Sequence, residues 1–158
     1  MSKTAIELDM EAAEFEARAI ECRRGAASQR GRDKQEAQRK AAEIPVDRSA
    51  VQLTDGSPVP QDYSHAKTGP SGQQKDYVVL SAAERSKGFV RPYRDAYKHA
   101  ACGKITTMGR AIAATYARDP AFYSGTFCTT CRAHFPIGED GEFVWYEMDG
   151  RDGPKVGT

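Results

Sequence analysis

Apolar positions along this chain are small and sparse at the start, scarce in the middle, and dense and aromatic in the second half. In residues 4–24, Ala5, Leu8, Ala12, Phe15, Ala19 and Cys22 recur at alternating spacings of 3 and 4, which puts them on one stripe of a helix. Three heptads are too few for a coiled coil, and the stripe predicts a helix that docks on its own domain or on a partner. Glu7, Asp9, Glu11, Glu14 and Glu16 load its first half and Arg18, Arg23 and Arg24 its end, an order that complements the helix dipole. Gly25 is the expected stop. Residues 30–43 predict a second helix, so polar all round that it should be solvated.

Residues 44–76 break the pattern with four prolines, Pro45, Pro58, Pro60 and Pro70, and three glycines, Gly56, Gly69 and Gly72. They read as an extended linker, with one short strand at Ala50–Leu53 turning at Thr54-Asp55-Gly56-Ser57. Order returns at Tyr77. Tyr77–Leu80 predicts a strand, and Ser81 with Glu84 predicts a capping box on a short helix. Phe89–Pro92 returns to extended chain. Met108, Ile112, Thr115 and Tyr116 share one face of an alanine-rich helix over 107–118, capped by Thr106 or Thr107 and ended by Asp119-Pro120. Phe143–Tyr146 predicts a strand. From Asp149 the tail should be loose.

This gives an α+β reading in four parts: an N-terminal helical segment (1–43), a linker (44–76), a packed domain (77–148) and a tail (149–158). Twelve of the 14 aromatic residues lie at or after Tyr77. Mean hydropathy of −0.66 fits such uneven order. A core of roughly 75–80 residues is marginal on apolar burial alone and gains from a staple.

The staple is legible in His99-x-x-Cys102 and Cys128-x-x-Cys131. A two-residue spacer lets one tight turn aim two side chains at one ion, and thiolate and imidazole are zinc ligands. Three thiolates need a fourth partner. Two paired knuckles favour His99; His134, in Cys-x-x-Cys-x-x-His spacing, competes for the place. The expected architecture is a small zinc-ribbon-like domain with a helical insertion between its knuckles, held by structural Zn²⁺. A four-ligand shell leaves no position for substrate water. Ala101 stands where a deaminase needs glutamate, and no phosphate-cradling or nucleophile-elbow motif occurs. The reading is therefore non-enzymatic, with no small-molecule substrate. Cys22 reads as core filler.

Charge is segregated. Residues 84–118 hold eight Lys/Arg against two acids, net +6, and residues 119–158 hold three against seven, net −4. Arg85, Lys87, Arg91, Arg94, Lys98, Lys104 and Arg110 form a candidate nucleic-acid surface beside a protein-binding one. No run of apolar residues is long enough for a transmembrane helix, so no membrane partner is expected. The acidic start is unlike a signal peptide, and cysteines in metal spacing suit a reducing cytosol.

The stretch His99-Ala-Ala-Cys102-Gly103, Thr106-Thr107-Met108-Gly109, Ala114-Thr115-Tyr116-Ala117, Pro120-x-Phe122-Tyr123 and Thr126-Phe127-Cys128-x-x-Cys131-x-x-His134-Phe135-Pro136 resembles a group of small, uncharacterised proteins of tailed bacteriophages. The resemblance spans about residues 77–147. It implies a phage-encoded zinc-binding protein of the host cytosol or the virion, and it implies no activity. Two functions follow as expectations: a zinc-stabilised module that engages a protein complex, or an assembly component of a phage particle.

Overall fold

The polar N-terminal sequence folds as one helix, not two. The structure, a computed structural model, describes the backbone of residues 5–158 and the side chains of residue 10 and of 13–158. Helix α1 runs Ala5–Ala42. Gly25 does not stop it, and Gly31 passes as well, because neither adopts the positive φ that a glycine terminator uses. Each costs about 1 kcal/mol against alanine, a loss spread over a helix rich in Ala, Arg, Glu and Gln. From residue 13 to 37 every side chain is exposed except Ala19, which is half-buried. Ala5, Leu8 and Ala12 of the expected stripe lie outside the described side chains. Cys22 is exposed, not core filler.

Residues 1–37 and 38–158 form separate compact units. The second begins with the last turn of α1, so most of the expected linker belongs to a packed domain. Strand β1 (Val51–Leu53) pairs antiparallel with β2 (Val78–Leu80), Gln52 opposite Val79. Ser81 caps α2 (Ala82–Ser86) by accepting from the Glu84 amide. The box is only half made: the Ser81 amide donates to Ala50, and the Glu84 carboxylate turns inward to Arg118.

A four-stranded antiparallel sheet has the order β4-β3-β7-β8, from β3 (Ala96–His99), β4 (Ile105–Thr107), β7 (Phe143–Tyr146) and β8 (Asp152–Lys155). The expected loose tail is therefore an edge strand, and Val156 beyond it is fully buried. Between β4 and β7 lie α3 (Arg110–Arg118) and the hairpin β5 (Gly125–Cys128)–β6 (Ala133–Pro136). Thr106 and Thr107 sit in β4, so the N-cap is Gly109, which supplies no side-chain bond. The core gathers Tyr97, Tyr116, Cys128, Phe143, Trp145 and Val156, with Met108, Ile112 and Phe135 packed against it.

Candidate metal centre

The two knuckles are built alike. In the first, β3 ends at His99 and the chain reverses to β4; the Gly103 amide donates to the His99 carbonyl at 2.8 Å. In the second, β5 ends at Cys128 and reverses to β6; the Arg132 amide donates to the Cys128 carbonyl at 2.8 Å. Each turn places a candidate ligand at its first residue, a second three residues on, and a left-handed residue four residues on: Gly103 at φ 68° and Arg132 at φ 56°. Glycine takes that conformation freely, whereas Arg132 is the only non-glycine with positive φ among the described residues. Amides face the sulfurs, the Cys131 N–H reaching Cys128 Sγ at 3.5 Å.

Packing brings the knuckles together. The Tyr97 hydroxyl donates to the Phe127 carbonyl at 2.6 Å, tying β3 to β5. Thr106 and Thr129 hydroxyls meet at 3.1 Å, tying β4 to the second turn. His99 Nδ1 lies 3.4 Å from both Cys102 Sγ and Cys131 Sγ, and Cys102 Sγ lies 3.7 Å from Cys128 Sγ. All four ligand atoms fall within 4.8 Å of one another, a group that could hold a metal ion. No pair is a disulfide.

His99 is held on every side. It is 1% exposed, its ring between Phe135 at 4.5 Å and Phe143 at 4.7 Å. Nε2 meets Glu142 Oε2 at 2.9 Å. With the proton on Nε2 and donated to that carboxylate, Nδ1 presents its lone pair to the sulfurs. Burial works to lower the His99 pKa, but the Glu142 and Cys102 hydrogen bonds outweigh it and the net shift is upward. The Lys104 amide is the largest influence on Cys102, whose thiol is pulled down to about 7. Desolvation of its sulfur, with the neighbouring thiols, pushes Cys131 up to about 11.

His134 faces elsewhere. It is exposed on β6, opposite Phe127, and Nε2 meets the Tyr77 hydroxyl at 3.1 Å. It lines an open groove of about 810 Å³ with Tyr63, His65, Gln74, Tyr77 and Phe122. Of the two competing histidines, His99 joins the cysteines and His134 does not.

The seven basic candidates do not form an open strip. Lys87 pairs with Glu84, Arg94 with Glu147 at 2.8 Å, and Lys98 with Asp152. Arg85 and Arg91 donate to the carbonyls of Leu80 and Thr158. Lys104 and Arg110 are exposed. Two of those acids, Glu147 and Asp152, come from the net-negative segment 119–158, so charges segregated in sequence are partly paired in space.

Sequence reasoning missed Glu142. No local spacing marks it; the β3–β7 pairing, with His99 opposite Phe143, carries it to the imidazole. Comparison with protein-family models, curated proteins and solved structures finds no match for this chain.

Proposed function

We propose that residues 38–158 are a zinc-stabilised, non-enzymatic binding module of zinc-ribbon-like design, with His99, Cys102, Cys128 and Cys131 as the ligands. The distances between the ligand atoms carry the reading. A tetrahedral zinc with bonds of about 2.3 Å to sulfur and about 2.05 Å to nitrogen puts sulfurs about 3.8 Å apart and nitrogen about 3.6 Å from sulfur. Three of the six edges, Cys102–Cys128 at 3.7 Å and His99 to Cys102 and to Cys131 at 3.4 Å, lie near those values, and all four atoms fall within 4.8 Å of one another. Three thiolates and an imidazole also suit zinc better than oxygen-seeking cations.

Four protein ligands fill a tetrahedral shell, which favours a structural ion. A protein partner is the better-supported target, because most of the basic candidates are already bonded within the chain. A phage setting for that partner is part of the proposal, carried only by the motif pattern read in the sequence of residues 77–147.

The test is metal stoichiometry. Purified protein should hold one zinc per chain. His99→Ala should lose most of it, and His134→Ala should keep it. Full zinc in His99→Ala, or loss in His134→Ala, would overturn the ligand set.

A further inference from the structure

Helix α1 offers a surface with a self-complementary charge pattern. By sequence, residues 5–21 hold six acids against one arginine, net −5, and residues 22–42 hold seven Lys/Arg against two acids, net +5. A helix dipole rewards such order only in the first and last turn, whereas this asymmetry runs through the whole element. Phe15 is 75% exposed and Ile20 48% exposed. Phe15, Ala19, Cys22 and Ala26 follow one another at heptad spacing.

We propose that α1 pairs antiparallel with α1 of a second copy of this chain. Reversal lays each acidic half along the basic half of the other helix, so both ends of the pair are neutralised at once. A parallel pair would set acid on acid and base on base over the same length. Flanking the apolar positions, Glu14 and Glu16 precede Arg18 and Arg23, so the sign changes along the contact edge itself. Small residues at Ala19, Cys22 and Ala26 allow close approach of the backbones, and Phe15 supplies the one large apolar contact among the described side chains of that seam. With so little apolar area, the attraction is mostly ionic and must weaken with salt.

Sedimentation equilibrium of the full, zinc-loaded chain tests this with two charge variants. One carries Glu14→Lys, Glu16→Lys and Glu21→Lys; the other carries Arg23→Glu, Arg24→Glu, Arg30→Glu and Arg32→Glu. Wild type should be dimeric at low salt and dissociate as salt rises. Each variant alone should be monomeric, and an equimolar mixture should form a one-to-one dimer. Unchanged zinc content and helical circular dichroism verify that the variants are folded. A wild-type monomer across the micromolar range overturns the proposal and leaves the face to another partner. A dimer of either variant alone, or a mixture that stays monomeric, overturns the antiparallel arrangement.

Discussion

At the scale of single residues, Glu142 gives the centre its polarity. Its carboxylate fixes the His99 tautomer and raises the basicity of the imidazole, while Phe135 and Phe143 prevent the ring from turning. Glu142→Gln keeps a hydrogen-bond acceptor but removes the charge. Zinc affinity should fall by about 10–100-fold, measured by competition with a chromophoric chelator. Unchanged affinity would show that the carboxylate plays no part. The four clustered residues, His99, Cys102, Cys128 and Cys131, were legible because metal-ligand spacing is a local property of sequence. Glu142 was not, because its role depends on strand pairing between residues 43 positions apart. Gly103 is of the residue type that marks a turn; Arg132 in the equivalent left-handed position carries no such signal.

At the scale of elements, the end of α1 is held by a buried arginine. Arg118, at the C-terminal end of α3, is 0% exposed. Its guanidinium donates to the carbonyls of Ala41 and Ile44, each at 2.9 Å, and of Pro45 at 3.2 Å. Of these, the Ala41 carbonyl belongs to the last turn of α1, where it also accepts from the Ile44 amide at 3.2 Å. Arg118 also meets buried Glu84 at 3.1 Å, and Lys87 closes the carboxylate from the other side. Arg118→Met leaves that buried carboxylate to Lys87 alone and removes the donors to Ala41, Ile44 and Pro45, so it should cost about 3–5 kcal/mol in chemical denaturation. A loss below about 1 kcal/mol would mean that the pair is dispensable.

The Lys87 hydrogen bond is the largest influence on Glu84, and with Arg118 it overcomes burial to hold the carboxylate below its ordinary 4.5. A depressed acid contributes stability above its unfolded pKa and loses it as pH falls through the folded one. The difference in thermal midpoint between wild type and Glu84→Gln should therefore be full at neutral pH and shrink below pH 4.5. Helices and most strands were readable from period and caps. No local pattern marks Arg118, because its partners Ala41, Ile44, Pro45 and Glu84 lie at least 34 positions away in sequence. The continuity of α1 was hidden by Gly25, and β8 by Gly153 and Pro154, residues that an edge strand tolerates.

At the scale of the molecule, residues 38–158 are a domain of short strands. The strands of residues 38–158 are three or four residues each, joined by irregular chain, and their core centres on six buried residues. Both knuckles donate to that core, since Cys128 and Cys102 pack with Tyr97, Phe143 and Trp145. In the proposed reading, a structural zinc would contribute on the order of 10–16 kcal/mol, as much as the whole net stability of an ordinary domain, about 5–15 kcal/mol. The α+β class and the His/Cys cluster that could hold a metal were visible in sequence because each is written in local pattern. The partition was less so: residues 44–76 look like a linker by composition, yet Gln52 and the Ala50 carbonyl tie them to the domain.

Chelation followed by near-ultraviolet circular dichroism and released-zinc measurement probes the ion's role most directly. The aromatic signal of Tyr97, Tyr116 and Trp145 should collapse in step with loss of one zinc per chain and return when zinc is restored. A domain that keeps its aromatic signal and its cooperative melt after the zinc has gone would contradict the account.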